Sequence, residues 1–307
     1  MGQTEPVVID GAGENSVPRN PASHQTRRFS GKTRPLGRLP DFIAVGPPRT
    51  GTTWLDKVLR GRVTLPNRVK ETLFFKSRYW RGINWYAHHF ELDTGMPAGE
   101  FGPTYFAPEI ARRRIKQHIP NCKIICTFRD PADRLYSNYQ LWRHFAMVKF
   151  SFEEVAFTDR DMNLYSQYGT NLRGFIDLFG RENVLVLIHE DISTDRQGYL
   201  DKVCSFIGIP WIDADLLPGI NDRINHVAYA PKRRKMARRV RKINARLADH
   251  AMYRSQALLK PLFDRLVGKG AQFPPLDPDM RIRVRAHMRP EVERLEELIQ
   301  RDLSHWK

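Results

Sequence analysis

Three cysteines in 307 residues are too few, and odd in number, to form a disulfide framework. Cys122 and Cys126 stand four apart in an apolar run, which puts both on one face of a strand. No second cluster supplies the roughly four ligands of a zinc site, so they read as buried thiols and no metal is expected. No stretch approaches the roughly 18 apolar residues of a membrane span. Residues 1–20 lack the basic start and apolar core of a secretory signal. Gly2 would suit N-myristoylation, but Pro6 occupies the position where that pattern wants Ser or Thr. A soluble, cytoplasmic protein in a reducing compartment is the expectation. Acid is short as well: 34 Asp and Glu face 50 Lys and Arg, a formal charge of +16. Such a surplus points to an anionic partner, be it nucleotide, sulfated substrate, nucleic acid or lipid surface, without choosing among them.

What the chain does hold is apolar residue, 41% of the total, enough for one large α/β domain. Residues 1–38, rich in Gly, Pro, Ser, Asn and Arg with no sustained period, are expected to be a disordered leader. Residues 39–307 are expected to form a single domain. Apolar runs at 41–45, 123–128 and 183–188 read as strands covered on both faces. Helical patterns follow Trp54 and span 109–118, 132–144 and 169–179. Strands alternating with helices predict a three-layer α/β fold, a mostly parallel central sheet flanked by helices.

Two loops at strand ends carry chemistry. The first strand runs into Gly46-Pro-Pro-Arg49-Thr50-Gly51-Thr52-Thr53-Trp54 and then a helix. This has the spacing of a nucleoside-triphosphate loop with Thr52 in place of the lysine. Backbone N–H groups and a helix N-terminus still offer a phosphate cradle. Thr50, Thr52 and Thr53 add hydroxyls, and Arg49 adds a permanent cation. The loss of the lysine handicaps a kinase or ATPase but not a ligand with a single 5′-phosphate. The second loop, Arg129-Asp130-Pro131, puts Arg129 at a strand's carboxyl end, where open α/β sheets bind ligands. Asp130 is a natural helix N-cap, Pro131 suits the first turn, and Ser137 lies two turns on. Plainer readings exist for each loop: an ordinary strand-to-helix turn, and an Arg129 paired with Asp130 or Asp133.

Taken together, these residues resemble the sulfotransferases that use 3′-phosphoadenosine-5′-phosphosulfate (PAPS). Pro48-Arg49-Thr50-Gly51-Thr52-Thr53-Trp54 is similar to that family's 5′-phosphosulfate loop, with Arg49 where a lysine is usual. Arg129-Asp130-Pro131 with Arg134 and Ser137 is similar to its 3′-phosphate site. Lys70-Glu71-Thr-Leu-Phe74-Phe75 and Gly99-Glu-Phe-Gly-Pro-Thr-Tyr105 look like segments of the heparan-sulfate-type and bacterial members. So do the stretch Leu185–Asp191 with Phe206–Gly208 and the ending from Pro274 to Trp306, so the likeness covers about residues 40–307.

The resemblance implies a P-loop-like fold and transfer of a sulfuryl group from PAPS to a hydroxyl or amine of a small-molecule, lipid or carbohydrate acceptor, without metal. It implies Glu71 as base, Lys70 and Arg49 as the cations at the reacting group, and Arg49, Thr50, Gly51, Thr52, Thr53, Trp54, Arg129 and Ser137 as donor-binding residues. Arg233, in a Pro-Lys-Arg stretch near where relatives carry a Pro-Arg, is a further donor contact. His88 and His89 are rival bases. Trp80, Trp85, Tyr86, Phe101 and Tyr105 are either acceptor platforms or core. Residues 232–247 form a basic amphipathic pattern with Met236, Val240, Ile243 and Leu247 on one side, suited to a solvated face or to contact with an anionic membrane or acidic substrate. No nucleic-acid partner is expected. The competing functions are a non-catalytic anionic-surface or nucleic-acid-binding protein on a degenerate P-loop fold, and a nucleoside kinase.

Overall fold

The computed structural model describes residues 37–67, 69–90, 94–217, 227–249 and 266–307, and side chains in the last of its helices before residue 250 are described up to Ile243. The leader expected over 1–38 thus lies, apart from Gly37 and Arg38, outside the described residues. Four strands, β1 (Phe42–Gly46), β2 (Gly99–Phe101), β3 (Lys123–Phe128) and β4 (Val184–Ile188), form one sheet in the order β2-β1-β3-β4. Every pairing in it is parallel. The chain leaves β1 toward β2 on one side and then returns to place β3 on the other. The point where the order reverses therefore lies between β1 and β3, and a ligand crevice opens there at the strands' carboxyl ends.

Alternation along each strand divides the core into two layers. Ile43 and Val45 of β1, with Ile124, Cys126 and Phe128 of β3, face a large cluster built from α3 (Glu109–His118), α7 (Tyr168–Phe179) and α11 (Pro278–Ile299). Phe42, Ala44 and Ile125 face the opposite way, onto α1 (Thr52–Leu59) and α9 (Arg196–Ile207). This is the three-layer arrangement expected from the sequence. Each buried Phe, Leu or Ile contributes about 1.5–3 kcal/mol relative to exposure, so these two apolar faces hold the sheet between its helices. Cys122 and Cys126 lie together in the first cluster, as their spacing predicts, and Cys204 lies in the second.

A third cluster joins α4 (Pro131–His144) to α5 (Phe152–Ala156), α6 (Arg160–Leu164) and the first half of α11. A separate two-stranded antiparallel sheet pairs β5 (Tyr229–Pro231) with β6 (Lys269–Gln272), and α10 (Arg234–Asp249) follows β5. Between α1 and β2 the described chain is mostly irregular, with one short α-helix, α2 (Ile83–Ala87). The last short helix, α8 (Asp191–Thr194), follows β4. Among the described residues no helix is long and apolar enough to cross a membrane.

Candidate functional site

The first loop leaves β1 through Gly46 and reaches α1 through Gly51. Both glycines have positive φ, and a Cβ on Gly51 would lie 2.7 Å from His189 Nδ1. Arg49 also takes a positive φ of 74°, unusual for a side-chain-bearing residue and a mark of a functionally constrained backbone. The consequence is an aimed guanidinium: Arg49 Nε donates to Ser137 Oγ at 2.9 Å, across 88 residues of sequence. Burial lowers the Arg49 pKa to about 10, and the charge of Arg129 acts in the same direction. Two loops on adjacent strands thus bring two cations and a hydroxyl to one place. Ser137 accepts from Arg49 and keeps its own hydrogen to donate.

Helix α1 begins beside this group. Gly51 provides no side-chain cap, and the first N–H groups of any helix lack intrahelical partners, so this end is a cradle for negative charge. Thr53 Oγ1 accepts from Lys70 Nζ at 3.0 Å, and Lys70 stands 3.3 Å from Glu71 Oε1. The Lys70–Glu71 segment therefore sits over the start of α1 and does not project as a solvated loop pair. Burial raises the Glu71 pKa; Lys70 opposes that rise, and Asp56 adds to it. The result is a carboxylate that accepts a proton more readily than a solvated glutamate.

The second loop is held from several sides. Asp130 Oδ1 caps α4 by accepting from the Asp133 N–H at 3.0 Å. Tyr168 donates its hydroxyl to the Arg129 carbonyl at 3.0 Å. The expectation that Arg129 is neutralised by Asp130 or Asp133 meets a different arrangement. Arg285 of α11 takes the buried Asp130 at 2.5 Å, and Arg281 takes Asp133 at 2.8 Å. Asp133 is left 3.9 Å from Arg129, at the outer limit of an ion pair. Two arginines far along the chain thereby engage Asp130 and Asp133. Nothing in the local sequence of the loop signals them; only the fold brings α11 against α4.

Arg129, Asp133, His189, Glu190, Ile192 and Ser193 line a cleft of about 200 Å³. His189 follows β4 directly, and burial with the nearby Arg129 charge lowers its pKa to about 4, so the ring is neutral near pH 7. Among the described residues, its buried Nδ1 and the buried Glu190 Oε2 have no hydrogen-bond partner. Unpaired buried polar atoms are costly, and here they border the cleft between the cations and β4. Their signal in the sequence is their position, immediately after an apolar strand.

Some predicted side chains go elsewhere. The Thr50 hydroxyl donates to the Pro47 carbonyl at 2.6 Å and shares a 2.6 Å bond with Thr127, fully buried, so it braces the loop and is not offered to a ligand. The Trp54 ring is buried in the second core layer, edge-on to Tyr199 at 5.7 Å. The described contacts of Arg233 are with residues before β6: its guanidinium donates to the Leu266 carbonyl at 3.1 Å, and neither loop is among them. His88 and His89 bond through Nδ1 to the carbonyls of Asn84 and Trp85, one turn back on α2. Tyr86, Phe101 and Tyr105 are core, whereas Trp80 is 74% exposed with Arg81 stacked over its ring. Among the described residues no group of His, Cys, Asp and Glu gathers that could hold a metal ion.

With this geometry in view, comparison with known proteins gives a consistent picture. A sequence model described as a sulfotransferase domain matches residues 39–253, more than half of the chain. The human bifunctional heparan sulfate N-deacetylase/N-sulfotransferase 3 is 30% identical over 217 residues, 62% of this chain and 25% of that protein. The human N-deacetylase/N-sulfotransferase 2 is 28% identical over 202 residues, 58% of this chain and 23% of that protein. The chain thus spans about a quarter of the length of these relatives. A sulfotransferase from Alicyclobacillus acidocaldarius shares the fold, with a TM-score of 0.62 at 22% identity over 88% of this chain and 99% of that one.

Proposed function

Because the chain belongs to the sulfotransferase family, we propose that it transfers a sulfuryl group from PAPS to a hydroxyl or amine of a glycan or small-molecule acceptor. The observation that carries this reading is the meeting of Arg49, Ser137 and Arg129 where the strand order reverses. Two guanidinium groups that repel each other in a partly buried crevice favour a ligand with negative charge on both sides of them. A nucleoside carrying phosphates at both 3′ and 5′ has that charge distribution. The steric limit at Gly51, where a Cβ would meet His189, holds that ring against the first loop, so His189 closes one side of the crevice.

In this reading the start of α1, with Thr52, Thr53 and Arg49, holds the 5′-phosphate, and Arg129 with Ser137 holds the 3′-phosphate. The donor supplies a sulfuryl group bonded through oxygen to a phosphate. Glu71 takes the proton from the acceptor hydroxyl or amine as that atom bonds to sulfur. Lys70, which bridges Glu71 and Thr53, and Arg49 stabilise the negative charge gathering on the phosphate oxygen from which sulfur departs. Arg keeps the charge of the family's usual loop lysine, but as a planar fork already tied to Ser137. The exposed Trp80, with Arg81 stacked over its ring, offers an aromatic face on which a sugar or aryl acceptor could stack. The three buried free thiols support a cytoplasmic setting.

A thermal-shift panel tests the reading. 3′-Phosphoadenosine-5′-phosphate without magnesium should stabilise the protein by about 2.7 kcal/mol at a hundredfold excess over its Kd. Stabilisation by ATP with magnesium instead would favour a kinase, and stabilisation by neither would favour a non-catalytic protein. Transfer of labelled sulfate across glycans, lipids and phenols then identifies the acceptor class.

The basic helix fits a peripheral contact with an anionic membrane, in a restricted form. Ala237 and Val240 of α10 pack against Ala146 and Val267, so much of the apolar side that would insert into lipid is already used. Lys235, Arg239 and Lys242 of α10 are exposed at spacings of four and three and form one cationic stripe, and Lys232 is exposed just before the helix. Leu247, expected on the apolar side, lies outside the described side chains. Such a stripe supports electrostatic attachment worth about 1 kcal/mol per basic residue. Binding to vesicles containing phosphatidylserine, absent on phosphatidylcholine, should fall with added salt and with a Lys235, Arg239, Lys242 to Glu triple replacement. Salt-independent binding would overturn this contact.

A further inference from the structure

We infer that Glu100 is a positioning residue for Glu71, fixing the Lys70–Glu71 segment over the start of α1 through Thr72. Glu100 lies in the middle of β2 and is fully buried. A glutamate in a three-residue edge strand would ordinarily face water, yet this one receives four hydrogen bonds. Its Oε1 accepts from the Thr72 N–H at 2.7 Å, the Thr72 hydroxyl at 2.7 Å and the Tyr105 hydroxyl at 3.1 Å. Its Oε2 accepts from the Tyr86 hydroxyl at 2.8 Å. Burial raises the Glu100 pKa, and the bonds from Thr72, Tyr86 and Tyr105 oppose that rise by favouring the carboxylate. Charge-assisted bonds of this kind are roughly twice as strong as neutral ones.

Thr72 is the residue after Glu71, and both of its backbone groups are held by buried side chains. Its N–H goes to Glu100, and its carbonyl accepts from Arg78 at 3.1 Å. The surrounding segment, residues 69–78, has no helix or strand to fix it. It also carries Leu73 at a φ of 57°, a conformation a leucine holds only under constraint. The side-chain anchor at Thr72 therefore substitutes for a ladder of backbone bonds. It ties the base loop to β2, which pairs with β1, the strand that delivers the phosphate cradle. One sheet edge thus sets the distance between Glu71, Lys70 and Thr53.

The inference rests on the reading of Glu71 as base, and the test separates the two. Glu100→Gln weakens the anchor by replacing one acceptor oxygen with an NH2 group that the donors of Thr72, Tyr86 and Tyr105 cannot bond. Expected is a fall in kcat of about 10- to 100-fold, the scale of a misplacement near 1 Å, with nucleotide affinity within about twofold. The acid limb of the pH–kcat profile should also move to higher pH. Lys70 holds the Glu71 pKa down, and a loosened segment loses part of that restraint. Should Glu100→Gln fail to fold, Thr72→Val and Thr72→Ser decide. The serine keeps the hydroxyl and should restore both the rate and the limb; the valine should not. Activity falling only in step with thermal stability, with the limb unmoved, would overturn the inference. Wild-type turnover in Glu71→Gln would instead remove the base reading on which it stands.

Discussion

Glu71→Gln should lower kcat by about 10²- to 10⁴-fold while leaving the Kd for 3′-phosphoadenosine-5′-phosphate within about threefold. The two readouts separate because Glu71 reaches the phosphate cradle through Lys70, which remains in the variant. Single-turnover assays with labelled donor, set beside a titration of the nucleotide, check both. The pH dependence follows from the same environment. Burial raises the Glu71 pKa above its usual value of 4.5, more than Lys70 lowers it. The base is competent when deprotonated, so activity is full above the raised pKa and is lost as pH falls through it. The acid limb of the wild-type profile should therefore lie above pH 4.5 and vanish in Glu71→Gln. A limb that persists unchanged in that variant, or wild-type turnover, would assign the proton to another group.

Arg129→Ala should weaken binding of 3′-phosphoadenosine-5′-phosphate by about 10- to 100-fold, as expected for a charge-assisted bond worth about 1.5–3 kcal/mol. The same substitution should change the affinity for adenosine 5′-phosphate, which lacks the 3′ group, by less than about threefold. Asp133 is 3.9 Å from Arg129 and is paired to Arg281 at 2.8 Å, so removal of Arg129 does not strip this acid of its nearer cation. Arg49 remains in the variant, now without the neighbouring charge that helps depress its pKa. Equal weakening of both nucleotides, measured by calorimetry, would refute the 3′ assignment.

The parts of the fold legible in the sequence are those where burial is two-sided and continuous. β3 and β4 carry unbroken apolar runs, and their helices follow within a few residues, so strand and helix positions agree with the pattern to within a residue or two. β2 escaped because three residues, one of them a glutamate, carry no period. The pair β5–β6 escaped because its strands are short, only partly buried and far apart in the chain. α11 carries Pro290 inside its 22 residues, a residue that ordinarily marks a boundary, and packing against α7 and α4 outweighs the lost bond.

Within the site, the loop positions were readable from strand-end motifs, but the direction of individual side chains was not. Thr50 and Thr53 look alike in sequence, yet one hydroxyl turns inward to Pro47 and Thr127 and the other meets Lys70. Long-range partners were invisible for a simpler reason. The bond from Arg49 to Ser137 and the pairing of Arg285 with Asp130 span 88 and 155 residues, and no local pattern encodes a contact made by the closing of a sheet.

The arginines on α11 have a consequence for where this domain ends. The matched family region stops at residue 253, yet Arg281 and Arg285 lie beyond it and neutralise the two acids that flank Arg129. Val292 and Leu295 of the same helix sit in the main core. A fragment cut at the family boundary would keep every motif residue from Arg49 to Ser137. It would nevertheless leave Asp130 and Asp133 free to compete for Arg129, so the electrostatic readiness of the anion crevice is written partly in the last thirty or so residues of the chain.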